Sequence, residues 1–415
     1  MAGLLPEKSV VEDFASGLCT YAGTGGPPPA ARHVPGNQHI AELGEWGKTR
    51  MDDVRERFQN LHEFIKAARF NLSRNNYDYI VGGTETETTL ARNRASLDSI
   101  AFKPRVLRNM RHVDCSSELF GRKVRLPVLI APVGGLQLFW QGGVATVAEA
   151  AGEFGIPIMQ SSATEPALEE TAKRAPDAFK IFQLYVRGDD KFVDDIYKRA
   201  MDAGFSPQFC FTVDLAHYSR RERDVVKRYN RWSGRSQEEH DIQSSLDWAL
   251  IERFHKRHPE ATIIIKGLQT GEDAQIAIDS GVGCIYVTNH GGRALDHARG
   301  AMDILPEVAA VVKGRVPIIV DGSFSRGTDI LKAIAMGATA VGIGRLYCYA
   351  LAAAGRPGVV RMLELLEDEI RRDLGLLGCE SFKKLDRSYV CAMPPVTPSH
   401  VFSAYPLSGV HHEPY

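Results

Sequence analysis

The run "VTNHGGRALDH" (287–297) sets a histidine, two glycines and an arginine directly behind the apolar stretch "GVGCIYV". His290 has the side chain best suited to move a proton near neutral pH. Arg293, three residues on, offers a planar fork that grips a carboxylate through two hydrogen bonds. In an ordinary turn the same histidine would be only a polar residue. Comparable endings recur along the chain: "FCFTVD" closes on Thr212 and Asp214, "FQLYV" carries Gln183 and Tyr185, "IPIMQSS" carries Ser161, and "ATIIIK" closes on Lys266. Together they supply one base, a carboxylate to orient it and several cations. These are the ingredients for oxidising or deprotonating an anionic substrate. Lys266 taken alone is either a lysine whose stem snorkels along apolar surface or a fixed cation beside a group that becomes negative during turnover.

These endings share one face only if the runs before them are parallel strands. From residue 126 short apolar runs alternate with helix-like segments: "LPVLIAP", "IPIMQSS", "FKIFQLYV", "FCFTVD", "ATIIIKG", "GCIYVTN", "VPIIVDG" and "ATAVGIG". The intervening segments carry helical periodicity and most stop at glycine. Eight buried-type strands alternating with helices point to an α/β fold, a (β/α)8 TIM barrel with a helical segment before it. The strand ends in order are Gly134, Ser161, Gln183 with Tyr185, Thr212 with Asp214, Lys266, His290 with Arg293, Asp321, and Gly344 with Arg345. The last two loops, "DGSFSRG" and "GIGR", fit a phosphate site built from backbone amides and an arginine. No GxGxxG comes after the first strand, which argues against a dinucleotide fold.

The chain of 415 residues carries Lys+Arg 50 against Asp+Glu 51, net −1, which removes the basic footprint of a nucleic-acid binder. Its seven cysteines lack CxxC spacing, so neither a disulfide framework nor a metal site is indicated, and a reducing, cytoplasmic compartment is expected. No signal peptide or membrane span is read. The Gly/Pro-rich residues 1–50 read as an arm, poorly structured or reaching a neighbouring subunit, 51–395 as the barrel, and 396–415 as a tail ending in "HHEPY". Val54, Phe58, Leu61, Phe64 and Ile65 fit one amphipathic helix at the start of the barrel unit.

With these residues in place, the chain resembles the FMN-dependent α-hydroxy acid oxidase and dehydrogenase family over roughly residues 52–391. The family signature Ser-Asn-His-Gly-(Ala/Gly)-Arg-Gln appears here as "TNHGGRA". Further matches are "YDYIVGGTE", "TLARNR", "FQLYV", "TVD" with "RRE" after it, "IIKG", "DGSFSRGTD", "GIGR" and "GCESFKKL". The resemblance implies His290 as the base and Asp214 as the carboxylate steadying its imidazolium. It implies Arg221, Arg293 and Tyr79 as the substrate carboxylate site, and Tyr185 on the substrate oxygen. It implies FMN held by Pro132, Val133, Gly134, Ser161, Gln183, Thr212, Lys266, Thr288, Asp321, Gly322, Ser323, Ser325, Gly344 and Arg345. The reaction would take an (S)-2-hydroxy acid to the 2-keto acid. Hydride and carbanion schemes stay open, as do oxygen, a quinone or a protein as electron acceptor. A homotetramer is also implied.

Several positions depart from the pattern. Ala294 replaces glutamine, and Ser325 replaces a phosphate-contacting arginine, leaving Arg345, the backbone or a shifted Arg326 to bind phosphate. Gly134 removes a methyl group near the site, from which a roomy pocket for an aryl or long-chain substrate is expected. The segment "RDVVKRYNRWSGRSQEEHDIQ" reads either as a solvated face or as an entrance shaped by Arg228, Tyr229 and Trp232. Other readings are a reduced-flavin isomerase and a noncatalytic flavin-binding protein.

Overall fold

The computed structural model describes residues 51–229 and 237–410; the arm 1–50, Trp232 and "HHEPY" lie outside the described residues. Eight parallel strands close into a barrel: β1 (Val128–Ile130), β2 (Ile158–Ser161), β3 (Lys180–Leu184), β4 (Gln208–Thr212), β5 (Thr262–Leu268), β6 (Cys284–Val287), β7 (Ile318–Val320) and β8 (Ala340–Ile343). Closure comes from β8 pairing with β1, Val341 opposite Val128. Nearly every strand residue is buried, because one pleat face fills the barrel and the other meets the helices.

The barrel interior is a cluster of Leu129, Met159, Ile181, Cys210, Ile264, Cys284, Ile319 and Ala340. Cys210 and Cys284 act there as small apolar fillers, since complete burial pushes both thiols upward, away from the reactive thiolate. A hairpin of Ser117–Leu119 and Arg122–Val124 adds Leu119 and Val124 to this cluster. Strand pleating points every second residue inward. Two residues beyond the cluster, toward the C-terminal ends of the strands, it therefore delivers Ser161, Gln183, Thr212, Lys266 and Asp321.

Among the described residues four helices precede the barrel: α1 (Met51–Arg57), α2 (Leu61–Asn71), α3 (Arg74–Val81) and α4 (Thr88–Asp98). The single helix expected over Val54–Ile65 is two. Asn60 breaks it with a capping box, accepting from His62 N at 3.0 Å while Glu63 accepts from Asn60 N at 3.2 Å. All five apolar residues are nevertheless buried. Seven further helices flank the strands: α5 (Gly143–Phe154), α6 (Leu168–Arg174), α7 (Asp190–Asp202), α8 (Glu222–Val226), α9 (Gln237–Ser244), α10 (Trp248–Arg257) and α11 (Gly271–Asp279). Then come α12 (Ala301–Val312), α13 (Gly327–Ala335) and α14 (Arg345–Leu377), the last kinked at Ala354 and Gly355. No helix among the described residues is long and apolar enough to cross a membrane.

The stretch expected as a tail packs on the barrel through residue 410. Val401, Phe402 and Tyr405 are buried, which the spacing of three apolar side chains in five residues explains. Ser399 Oγ donates to Asp98 (2.9 Å), Arg326 Nη1 to the Ala404 carbonyl (3.1 Å), and the Leu407 amide to His62 Nδ1 (3.2 Å).

One buried ion pair joins α4 to the first turn of α13. Arg94 donates twice to Asp329, both bonds 2.8 Å, and the two side chains are 3% and 1% exposed. Burial alone would push the Asp329 carboxyl up, but Arg94 overrides it and holds the group below the usual range. Removing one partner leaves the other charged and buried. Arg94→Met should therefore lower unfolding free energy by about 3–5 kcal/mol in denaturant titration; a loss under about 1 kcal/mol, the worth of a surface pair, would refute the pair's structural role.

Candidate active site

His290 sits just past the end of β6 in a backbone conformation that few side chains tolerate. His290, Gly291 and Gly292 have φ of 59°, 62° and 76°, a left-handed turn that aims the imidazole across the mouth of the barrel. Neighbours fix the turn. Thr288 Oγ1 donates to Asp321 and accepts from the His290 amide at 2.9 Å. Asn289 and Asn93 of α4 exchange two side-chain hydrogen bonds of 2.8 Å, and Asn289 Oδ1 also accepts from the Gly292 amide (3.0 Å).

The ring of His290 bridges two partners. Nδ1 lies 2.9 Å from Asp214 Oδ1, and Nε2 lies 3.2 Å from the Tyr185 hydroxyl. Asp214 comes close because β5 carries an irregularity at Gly267, φ 125°, where a Cβ would stand 2.7 Å from that of Asp214. Burial pushes His290 below its usual 6.5. Asp214 pulls it back up only in part, and Lys266 adds to the lowering. Asp214 is also pushed up by burial, but the charges of His290 and Lys266 more than offset this and leave it low. The result is a neutral imidazole at pH 7 backed by a carboxylate, the arrangement of a general base.

Beside this pair lies a cationic clamp. The guanidinium carbons of Arg293 and Arg221 stand 4.7 Å and 5.3 Å from the centre of the Tyr79 ring. Arg293 donates to the Tyr79 carbonyl, yet its Nε and Arg221 Nη1 are buried with no hydrogen-bond partner. Burial and the neighbouring Arg221 bring Arg293 down to about 9. A bound anion would relieve both the unpaired donors and the repulsion.

The cavity around these groups holds about 1220 Å³ between atoms, part of it open to solvent. Lys266, Asp321, Gly322, Ser323, Ser325, Gly344 and Arg345 line it, as do Pro132, Val133 and Gly134. Beneath, Ser161, Gln183 and Thr212 are buried; both amide atoms of Gln183 and Thr212 Oγ1 have no hydrogen-bond partner. Unpaired buried polar atoms facing one cavity are what a bound ligand would satisfy.

Thr288 is turned to Asp321 and the His290 amide, so its hydroxyl orients the site instead of facing the cavity. Arg326 faces away as well, bonded to Glu369, Ala404 and His62. At Gly134 the space for a methyl group is bounded by the carbonyl and Cβ of Ala163 at 3.1 Å and 3.2 Å. Close packing between two loops thus accounts for this glycine, and Leu215 and Tyr218 form the wall. Those two, with Ser219, Tyr349, Val401 and Tyr405, line the cavity and were not legible from strand ends. Arg228 and Tyr229 are not among the lining residues.

Residues 68–392 match the FMN-dependent dehydrogenase family model. The chain belongs to this family. It is 36% identical over 345 residues to 4-hydroxymandelate oxidase of Amycolatopsis orientalis, covering 78% of this chain and 96% of the relative. It is 33% identical over 355 residues to glycolate oxidase of Spinacia oleracea, covering 80% and 95%. The crystal structure of mandelate oxidase with (S)-2-phenylpropionate superposes with a TM-score of 0.75 at 36% identity, over 82% of this chain and 100% of that one. Membership makes the chain an FMN-dependent enzyme of the 2-hydroxy acid oxidase and dehydrogenase class. The site fits the cofactor: the unpaired polar atoms of Gln183 and Thr212 and the Lys266 cation suit a heteroaromatic ring, and Ser323, Ser325, Gly344 and Arg345 line the same cavity.

Because His290 must be neutral to accept a proton, kcat/KM should rise with pH along a limb whose midpoint lies below 6.5. Asp214→Asn removes the charge that raises His290. The limb should move to still lower pH while the rate falls by roughly 10²–10⁴. A pH–rate series on both proteins checks this, and a limb unmoved by the substitution would exclude the coupling.

Proposed function

We propose that the chain oxidises an aryl or long-chain (S)-2-hydroxy acid, with His290 as base and Arg221, Arg293 and Tyr79 as the carboxylate site. One observation carries this reading: the Asp214–His290–Tyr185 chain and two guanidinium groups with unpaired donors open into the same cavity as Lys266. The base alone would serve many reactions; beside an anion clamp it serves a carboxylic acid whose reacting carbon lies next to the carboxylate.

The carboxylate fixes the substrate by bidentate bonds from the guanidinium groups. His290 Nε2 then takes the substrate proton, whether it leaves from oxygen or carbon. Asp214 stabilises the imidazolium so formed, and the Tyr185 hydroxyl holds the substrate oxygen. FMN, when bound, accepts the two electrons. Lys266 places a buried positive charge where negative charge develops, and at 3% exposure the effect is little screened by water.

Leu215, Tyr218, Val133 and Ala163 give the substrate end an apolar and aromatic wall. Such a wall suits an aromatic side chain better than the hydrogen of glycolate. The mandelate and 4-hydroxymandelate oxidases among the relatives support the same choice. The names of these relatives also favour dioxygen as electron acceptor over a quinone or a protein. Assembly as a homotetramer is part of the reading and is checked by solution mass.

Anaerobic reduction of the yellow enzyme across a panel of 2-hydroxy acids tests the substrate. Mandelate-type acids should give the highest kcat/KM, and readmitted air should restore the colour rapidly with peroxide formed. Glycolate at the top of the panel would overturn the specificity. His290→Ala should retain FMN yet lose more than the roughly 10²–10⁴ usual for a general base. Near-normal flavin reduction in that variant would return the histidine to a turn residue.

A further inference from the structure

The loop after β7 offers a phosphate group fewer donors than its sequence suggests. Serine stands at 325 in place of the arginine implied by the resemblance. The amides of Ser325 and Arg326 are taken by Asp329 at 3.0 Å and 3.1 Å. The Arg326 guanidinium is held by Glu369 at 2.6 Å, by the Ala404 carbonyl at 3.1 Å and by His62 at 3.1 Å. Arg345 lines the cavity but spends Nε and Nη2 on the carbonyls of Ile80 and Gly82, both 3.0 Å.

Hydroxyl groups gather at this end instead. Ser323 Oγ and the hydroxyls of Tyr349 and Tyr405 are buried without a hydrogen-bond partner, and all three residues line the cavity with Ser325, Gly344 and Arg345. Tyr349 is 1% exposed and Tyr405 2%. Ser325 interacts with the Tyr405 hydroxyl through its side chain, while its own hydroxyl donates to the Ser323 carbonyl at 3.1 Å. Helix α14 starts here at Gly344 without a side-chain cap, and a Cβ on that glycine would meet nothing within 4 Å. A helix start open to the cavity and unpaired tyrosine hydroxyls are together a binding site for an anion.

Tyr405 belongs to a segment beyond the family match, which ends at residue 392. Residues 399–408 lie across this end as a strap, tied to α4 by Ser399 and Asp98, to the loop after β7 by Arg326 and Ala404, and to α2 by Leu407 and His62. The Tyr405 ring meets His62 edge-on at 6.0 Å. Packing fixes the ring there, and within the protein its hydroxyl faces the Ser325 side chain.

We propose that this strap closes the phosphate end of the FMN site, with the Tyr405 and Tyr349 hydroxyls acting as phosphate donors in place of the missing arginine. Arg326, displaced from the phosphate, serves as the anchor of the strap. The inference rests on the family's cofactor and adds two residues of this chain to its site.

Full-length apoprotein, titrated with FMN and separately with riboflavin while flavin fluorescence is recorded, tests the assignment. Tyr405→Phe and Tyr349→Phe keep the rings and remove the hydroxyls. Each should weaken FMN by roughly tenfold or more, the worth of a hydrogen bond to a charged group, and leave riboflavin unchanged. FMN affinity within about twofold of the parent, or an equal loss for both flavins, would refute a phosphate contact. A chain ending at residue 396 should release FMN at least tenfold faster; if it fails to fold, the phenylalanine variants decide. Parent protein that binds neither flavin would sink the cofactor assignment itself, a result distinct from either failure of the strap.

Discussion

The reciprocal amide pair between Asn93 and Asn289 is the constraint on which the chemistry rests. A barrel strand delivers a residue to its C-terminal edge but does not determine the conformation of the loop beyond that edge. At β6 the next residues must enter a left-handed turn with a histidine at φ 59°, which the barrel's own hydrogen bonds do not stabilise. The compensation comes from α4, outside the barrel. Asn93 holds Asn289 and also accepts from the Ala301 amide (2.9 Å), so the turn is bracketed on both sides. One residue on, Arg94 does the same for the loop after β7 through Asp329. Two adjacent side chains of one helix therefore set the turn that carries His290 and the loop after β7.

The same logic extends to residues 79–87, which cross the mouth of the barrel. The Thr84 amide donates to the Gly292 carbonyl (2.9 Å) and the Glu85 amide to that of Arg220 (2.8 Å), stitching the loops after β6 and β4 together. Arg293 and Arg345 reach back to carbonyls of this segment. Backbone carbonyls thus carry part of the charge balance of an arginine cluster in a protein of net charge −1. They hold the cations in place without neutralising them. The clamp remains electrostatically incomplete, and substrate and cofactor anions complete it.

Strand ends were legible in the sequence because the pleat period is two and a parallel barrel puts all C-terminal ends on one face. That logic located His290, Asp214, Lys266, Tyr185 and Asp321 without knowledge of a single contact. It could not see Tyr218, Tyr349 or Tyr405, which reach the cavity from a loop, a helix and the C-terminal strap, because no short-range period links them to a strand. Thr288 and Arg326 show the opposite limit. Their positions in the chain are those of ligand contacts, but Asp321, Glu369 and Ala404 offer partners that only the folded chain brings near. Gly134 was legible as a missing methyl group, while the reason for its absence, the Ala163 loop, lies far along the sequence.

The enclosure of the site is accordingly foreign to the barrel. The floor comes from strands, but the walls also come from Tyr79, the loop after β4, Val401 and Tyr405. Enclosure matters to the chemistry. The side chain of His290 is 15% exposed and that of Asp214 2%, and it is this burial that drives the histidine below its normal value and lets Asp214 and Lys266 act at low screening. A bare barrel would present the same residues to water, where the base would be more often protonated and the lysine's field largely screened. The strands therefore determine which groups are present and the added segments how strongly they act. Differences in substrate between members of this architecture then belong to the walls, where Leu215 and Tyr218 can change without disturbing a strand, a helix or the amide pair that holds the base.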